Sequence, residues 1–156
     1  MDEIDKKILQ TLQKNARISL KNVAQKTYLS SPAVSTRIDK LEREKVITGY
    51  HAAVNPVKLG YPIMAFISLD VAPGDKIKFY DSMEAIPNVL ECNCVTGEYS
   101  MLMKVAFQST LDLDIFVDQI QCYGKARTQI IFSTPVGPRG IDIGKEMQRL
   151  KNASGE

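Results

Sequence analysis

Hydrophobic residues in the first third of the chain repeat with the period of an α-helix. Ile4, Ile8 and Leu12 follow one another at four-residue intervals, and Asp2 is placed to cap the helix that contains them. The pattern predicts an amphipathic helix that ends near Asn15.

A second, shorter helix is predicted to follow Ser19, a residue type that caps helix N-termini. Leu20, Val23 and Ala24 are expected to point inward, and the pattern fades around Thr27. With the stretch that follows, three short helices are predicted in the first 50 residues.

The stretch from Leu29 to Ile47 has the clearest start signals in the chain. Ser30 and Ser31 can cap a helix, and Pro32 suits its first turn. The apolar positions of this helix fall on one face: Val34, Ile38 and Leu41. Only a short turn, about four residues by the sequence pattern, separates it from the second helix. This spacing predicts a helix-turn-helix, a motif whose second helix lies in the DNA major groove.

From residue 63 onward the apolar period becomes that of a β-strand. Ile63, Ala65, Ile67 and Leu69 alternate with a less apolar set of neighbours. Turn residues then separate further segments in the order βαββαβ. The predicted strands lie near residues 63–71, 89–95, 101–107 and 128–134. Two helices are predicted between these strands. The first starts with Ile77, Tyr80 and Met83 or Glu84. The second is capped by Thr110 and contains Ile115, Phe116 and Ile120.

This order predicts an α+β chain: an N-terminal three-helix, winged helix-turn-helix domain, then a ferredoxin-like domain with both helices on one face of its sheet. The other face also carries apolar side chains, which usually bury themselves against a second subunit. We therefore predict a homodimer through this face. The residues expected there are Met64, Phe66, Met101 or Leu102, and Ile131 or its neighbours.

Between the two parts, Gly49 permits a bend, Tyr50 and β-branched residues favour extended chain, and Asn55 with Pro56 stops it. A short wing or strand is predicted here, followed by a linker that ends near Pro62. The predicted domains are residues 1–50 for DNA binding, 51–61 for the strand and linker, 62–140 for sensing and oligomerisation, and 141–156 for a C-terminal helix or tail.

Charge is distributed unevenly, although the net charge of the 156 residues is only +2. Residues 1–58 contain 11 Lys and Arg against 6 Asp and Glu, whereas residues 59–156 contain 9 against 12. A basic front half and an acidic back half indicate two roles. The N-terminus lacks a basic, apolar leader, and no apolar run approaches the ~18 residues of a membrane span. We expect a cytoplasmic protein without membrane contact.

The candidate DNA-binding set consists of basic and hydroxyl side chains of the helical part, together with Pro32 and Ala33, which can contact thymine methyl groups. Those around the second helix can hold phosphates, and the start of the third helix can reach base edges. Mixed charges also occur on ordinary solvated helices, in pairs such as Lys40 with Glu44, but the three-helix context favours DNA binding. The candidates are Arg17, Ser19, Lys21, Ser30, Ser31, Pro32, Ala33, Ser35, Thr36, Arg37 and Lys40.

Side chains suited to catalysis or metal binding are scarce. His51, the only histidine, has no acid or nucleophile partner nearby and lies far in sequence from Cys92, Cys94 and Cys122. We interpret the cysteines as buried thiols in a reducing compartment rather than metal ligands. No catalytic residue, metal site or cofactor is expected.

Seven segments in combination resemble the Lrp/AsnC transcription regulators, and the resemblance covers nearly the whole chain. They are DEIDKKIL at 2–9, NARIS at 15–19, LSSPAV at 29–34, RIDKLE at 37–42, VITGY at 46–50, NP at 55–56 and VTGEY at 95–99. The resemblance implies a DNA-binding helix-turn-helix followed by an effector-sensing βαββαβ domain, called the RAM domain. It also implies that dimers join into tetramers, octamers or larger rings.

In this family small molecules, typically amino acids, bind between dimers near a Thr-Gly turn. Here the turn consists of Thr96, Gly97, Glu98, Tyr99 and Ser100. The family's turn commonly reads Thr-Gly-x-x-Asp, and Ser100 takes the place of the acid that would pair an amino group. A serine hydroxyl carries no charge. The expected effector is therefore either an amino acid, with Glu98 as a substitute acid, or a different molecule.

These observations predict a sequence-specific transcriptional regulator whose dimer reads a palindromic operator and whose second domain couples a small effector to oligomer state. Two alternatives stay open at this point. One is a stand-alone small-molecule sensor, and the other is a ferredoxin-like enzyme without DNA binding, since fold alone does not settle function.

Overall fold

The computed structural model describes residues 1–143 of the chain. They separate into two compact units, one made of Met1–Ala53 and the segment that begins at Val136, the other of Val54–Pro135. The helix or tail predicted for residues 141–156 lies outside the described residues from position 144 onward. Up to residue 143, no helix is long and apolar enough to cross a membrane.

Three helices form the first unit, and their predicted positions are confirmed: α1 (Glu3–Lys14), α2 (Leu20–Thr27) and α3 (Ser31–Arg43). Their N-caps are also the predicted residues. The Asp2 carboxylate accepts a hydrogen bond from the N–H of Asp5 at 2.8 Å, and the hydroxyls of Ser19 and Ser30 each accept one at 3.3 Å. These bonds satisfy N–H groups that the helices leave unpaired.

Each helix contributes one apolar face to the core of this unit, which consists of Ile8, Leu9, Val23, Ala24, Val34, Ile38 and Leu41. The prediction that Leu20 points inward is wrong, since this residue is 43% exposed. It occupies the first helical position of α2, and the core is supplied by the next turn of that helix.

The second unit is a four-stranded antiparallel sheet with strand order β2-β3-β1-β4. Its strands are β1 (Ile63–Leu69), β2 (Val89–Cys94), β3 (Met101–Phe107) and β4 (Ala126–Ile130). Helix α4 (Lys76–Glu84) connects β1 to β2, and α5 (Thr110–Ile120) connects β3 to β4. The predicted α+β, βαββαβ arrangement is confirmed.

Both of these helices pack on the same face of the sheet. The core between the two layers contains side chains from the central strands and from both helices, including Ile67, Met103, Phe79, Met83 and Phe116. Helix α4 buries Phe79 and Met83. Of the residues predicted to start this helix, Met83 therefore lies in the core, whereas Ile77 is 76% exposed and Tyr80 is 40% exposed.

The ends of two elements also differ from prediction. Ser109, rather than Thr110, caps α5, because its hydroxyl accepts a hydrogen bond from the N–H of Asp112 at 3.1 Å. Strand β4 spans Ala126–Ile130, so it begins and ends earlier than predicted, although the N–H of Ile131 still donates to the carbonyl of Met64 at 2.8 Å.

The strand predicted between residues 46 and 56 is not formed within residues 1–143. A strand needs a neighbour to take its backbone hydrogen bonds, and this segment has no strand partner in the described chain. The first part of this segment is attached to α3, because the Tyr50 hydroxyl donates to the Glu42 carboxylate at 2.7 Å. Partial burial, together with this carboxylate, raises the pKa of Tyr50 to about 12.

Candidate DNA-binding surface and effector-binding turn

The outward face of α3 is polar and begins at the first turn of the helix. Pro32, Thr36 and Lys40 are exposed, and Asp39 and Arg43 lie on the same side. The other predicted contacts at the start of α3, Ser31, Ala33 and Ser35, are half-buried and flank this face. The structure thus brings most of the predicted base-reading residues onto one side of one helix.

Two hydroxyls at the start of α3 already have intrahelical partners. Ser30 accepts the hydrogen bond from the N–H of Ala33 that caps the helix, and Thr36 Oγ1 donates to the carbonyl of Pro32 at 3.1 Å. A hydroxyl has two acceptor lone pairs besides its one donor hydrogen. Thr36 can therefore still accept a hydrogen bond from an outside donor, whereas the main role of Ser30 is to begin the helix.

Arg37, a predicted DNA contact, has its charged group bound to two acids within the protein. Its guanidinium Nη1 donates to Asp2 Oδ2 and to Asp5 Oδ1, both at 2.7 Å, so it binds α3 to the start of α1. The bonds to Asp2 and Asp5 raise the pKa of Arg37. Sequence reasoning missed this role because the two acids lie more than 30 positions away.

The Lys40 ammonium is accessible to a partner outside the protein. Its ammonium is 3.8 Å from a Glu44 carboxylate oxygen, and both side chains are about half exposed. This is the pair expected on a solvated helix, and such pairs contribute only about 0.2 to 0.5 kcal/mol. A phosphate or a base edge can replace Glu44 as the partner of Lys40 at little cost.

The residues predicted to hold phosphates surround the start of α2. Arg17, Ser19 and Lys21 are all exposed, and Ser19 caps the helix by accepting from the N–H of Asn22. The start of a helix presents free N–H groups and the positive end of its dipole, which favour anions. Together they make a basic surface next in sequence to the recognition helix.

Only three residues, Tyr28–Ser30, separate α2 from α3, one fewer than the sequence pattern predicts. The turn closes α2 with a hydrogen bond from the N–H of Leu29 to the carbonyl of Ala24 at 3.1 Å. Tyr28 adopts the left-handed conformation there, with φ 57° and ψ 34°. Such a tight turn holds the start of α3 close to the end of α2, as a helix-turn-helix requires.

In the sheet unit, the predicted effector turn joins β2 to β3. Thr96, Gly97 and Glu98 are exposed, while Tyr99 and Ser100 are half-buried. Gly97 has φ 121°, a conformation that side chains rarely adopt. The turn therefore presents one acidic side chain, Glu98, to the surroundings.

Ser100, which takes the place of the family's acid, has its hydroxyl bound within the fold. Its Oγ accepts from the N–H of Val71 at 2.8 Å and donates to the carbonyl of Val71 at 3.2 Å. The carbonyl of Ser100 also accepts from the N–H of Val95 at 2.9 Å. Ser100 therefore fastens the turn to the end of β1 and has no donor hydrogen left for an effector.

The sheet face that the helices leave open carries apolar side chains among polar and charged ones. Phe66, which is 38% exposed, lies between Lys104 of β3 and Gln129 of β4. Glu91 lies opposite Lys104 towards one edge, and Arg127 lies near the other. Of the alternative residues predicted here, Leu102 is on this face, whereas Met101 is fully buried in the core.

The interpretation of the cysteines as buried thiols is wrong for two of the three. Cys94 and Cys122 are exposed, because they lie near the edge of the sheet and after α5, and only Cys92 is half-buried. Burial, with a smaller effect of Cys94, raises the pKa of the Cys92 thiol. Between residues 1 and 143, no group of three or more His, Cys, Asp or Glu side chains could hold a metal ion.

Comparison with known proteins matches each unit to a known domain family. The winged helix-turn-helix DNA-binding family matches residues 1–48, and the Lrp/AsnC ligand-binding domain matches residues 64–141. The transcriptional regulator FL11 of Pyrococcus furiosus is 33% identical over 120 residues, which are 77% of this chain and 80% of FL11.

Solved structures agree with these matches over almost the whole described chain. Bacillus subtilis LrpC has a TM-score of 0.83 and 28% identity, covering 88% of this chain and 99% of LrpC. A feast or famine regulatory protein from M. tuberculosis, solved in complex with L-methionine, has a TM-score of 0.82 and 27% identity, covering 90% and 97%. With an exposed recognition helix in one unit and a ligand-binding fold in the other, this chain belongs to the Lrp/AsnC family of helix-turn-helix transcriptional regulators.

Proposed function

We propose that this regulator binds a palindromic DNA site as a homodimer, with α3 of each copy in the major groove. The observation that carries the proposal is the exposed polar face of α3 directly behind a three-residue turn. Two recognition helices related by a two-fold axis read half-sites about one helical turn apart, or a multiple of it. The operator should therefore be a repeat with inverted symmetry.

Within this surface, we assign base reading to the start and outer face of α3, and phosphate binding to the residues around α2. Hydroxyl and amine side chains can reach base edges, whereas basic groups and helix N–H groups hold phosphates and set the register. Arg37 acts as a positioning residue for α3. The base-reading set is Ser31, Pro32, Ala33, Ser35, Thr36 and Lys40, and the phosphate set is Arg17, Ser19 and Lys21.

Dimerisation is assigned to the open face of the sheet. Its apolar side chains, Phe66 and Leu102, would be covered by the same face of a second copy. The acid Glu91 and the base Arg127, near opposite edges, make the face suited to pair with itself. Further assembly of dimers into tetramers or octamers would leave this face inside each dimer.

The effector site is assigned to the turn at residues 96–100. The M. tuberculosis relative was solved in complex with L-methionine, which supports an amino acid or a related metabolite as the effector. Because the hydroxyl of Ser100 is bound to Val71, Glu98 is the acid best placed to pair an effector's amino group. Binding would shift the oligomer state, and through it the DNA contact.

These roles need binding rather than catalysis, so we assign the chain no enzymatic activity and place it in the cytoplasm. The test is fluorescence anisotropy with duplex DNA from upstream of the protein's own gene and with a random duplex of equal length. Preference for the upstream duplex, with affinity falling as salt rises, supports the proposal. Equal, salt-independent binding to both duplexes refutes it.

A further inference from the structure

Tyr28 occupies a position of the helix-turn-helix at which a tyrosine is unexpected. It is the C-cap of α2, and its left-handed backbone, with φ 57°, is the conformation that glycine adopts most easily at helix ends. A side chain with a Cβ atom is strained in this conformation. The backbone therefore gives no reason for a large residue here.

Packing and hydrogen bonding within the protein give no reason either. The Tyr28 side chain is 90% exposed, and among residues 1–143 its hydroxyl has no hydrogen-bond partner. The backbone N–H of Tyr28 caps α2 by donating to the carbonyl of Ala24, so the turn uses the backbone of Tyr28 but not its side chain. A strained residue whose side chain has no role within the fold is a candidate for a functional contact. The position of Tyr28 suggests which function, because it lies three residues before Ser31, the first residue of α3.

We propose that Tyr28 is a further DNA contact, whose phenol O–H donates a hydrogen bond to a phosphate beside the groove that α3 enters. Tyrosine hydroxyls are among the groups that bind DNA phosphates. Within three residues the chain extends about 10 Å at most, so the ring stays close to the first turn of α3. The inference rests on the proposed role of α3 and adds a residue to that surface.

A neutral donor makes the contact distinguishable from those of the basic residues. When a lysine or arginine binds a phosphate, counterions are released and the salt dependence steepens. A phenol releases none. Loss of the Tyr28 contact should therefore weaken binding by a similar factor at every salt concentration, and equally on any DNA sequence.

The test uses Tyr28→Phe, which removes only the hydroxyl, and Tyr28→Gly, which removes the side chain and relieves the strain. Affinities are measured for the upstream duplex and for a random duplex across a salt series, with thermal melting as the check on folding. We expect both variants to melt at or above the wild-type temperature and to bind both duplexes about three- to tenfold more weakly, with unchanged salt slope.

Tyr80→Phe, which removes a hydroxyl from the sheet unit, serves as the control and should bind as the wild type does. Unchanged affinity in both Tyr28 variants overturns the inference, and so does a loss confined to the upstream duplex, which would indicate a base contact. If the wild type itself shows neither preference nor salt dependence, the proposed function fails, and this result is seen before any variant is compared.

Discussion

Arg37 Nη1 lies 2.7 Å from Asp5 Oδ1, so a side chain of the recognition helix is bound to the first turn of α1. The Asp5 carboxylate is only 9% exposed, and it also accepts from the N–H of Asp2 at 2.9 Å. The capping box that begins α1 thus doubles as the acceptor for Arg37. The bond between Arg37 and Asp5 therefore holds α3 against α1 in addition to the apolar core.

The first prediction concerns this acceptor. Asp5→Ala should lower the free energy of unfolding of the helical unit by about 1 to 3 kcal/mol, because the capping N–H and the Arg37 guanidinium both lose a partner. Arg37→Ala should also destabilise the unit, whereas Arg43→Ala, at the exposed end of α3, should not. Urea denaturation followed by circular dichroism measures all three. Wild-type stability in Arg37→Ala, with weakened DNA binding, would mean that the guanidinium acts on DNA instead.

The second prediction is a pH dependence that comes from Asp2. The N–H of Asp5, followed by the Arg37 guanidinium, lowers the pKa of Asp2 below its ordinary value of 3.8. A group whose pKa is lower in the folded state stabilises the fold above its unfolded pKa, and this stabilisation is lost as the pH falls through the folded value. Asp2→Asn should therefore flatten the fall in stability below pH 3.8. The stability of both proteins is measured across a pH series. An equal fall in stability for the wild type and for Asp2→Asn would contradict the role given to Asp2.

The sequence predicts the helical unit well because its signals are local. Val34, Ile38 and Leu41 share one face, and Ser30 with Pro32 marks where the helix begins, so both the helix and its buried side follow from neighbours in the chain. The order of strands and helices in the second unit is predictable for the same reason, because alternation and turn residues are also local.

The features that the sequence does not predict depend mainly on contacts between distant residues. The buried side of α4 depends on which of its apolar residues meets the sheet, and Phe79, rather than Ile77, does so. In the sequence Arg37 has the position of a surface residue, and only the fold brings Asp2 and Asp5 to it. The hydroxyl of Ser100 is likewise hydrogen-bonded to Val71, which lies 29 positions earlier in the chain. No local pattern contains these partners.

The third prediction tests what Ser100 does. Ser100→Ala should lower the free energy of unfolding of the sheet unit by about 1 to 3 kcal/mol, because the N–H and carbonyl of Val71, which is 2% exposed, lose their partner. Ser133→Ala, at an exposed site, is the matched control and should change little. Thermal denaturation compares them. Equal stability of the two variants would mean that solvent replaces the Ser100 hydroxyl without cost.

Ser100→Asp gives the same position the family's acid. The carboxylate can accept from the N–H of Val71 but has no hydrogen to donate to its carbonyl. We therefore expect a less stable unit with a stronger response to amino acids, measured as a shift in sedimentation when a panel of them is added. No response in either form would argue against an effector site at the turn.

The fourth prediction concerns the open sheet face. Phe66→Glu places a charge at the centre of the proposed dimer interface, where it would lose its water, so the variant should sediment as a monomer. Ile77→Glu puts the same charge on a residue that is 76% exposed on α4 and should leave the oligomer unchanged. A Phe66→Glu variant that still forms the wild-type oligomer would place the interface elsewhere.

The role of α3 in reading DNA is tested by comparing the operator preference of Lys40→Ala with that of Lys78→Ala. Lys40 is on the outer face of α3, and Lys78 is an exposed lysine of α4. Anisotropy titrations with the upstream and random duplexes give the preference of each protein. We predict that Lys40→Ala loses about tenfold in affinity for the upstream duplex and most of its preference, while Lys78→Ala binds like the wild type. Equal preference in the two variants would contradict the reading of DNA by α3.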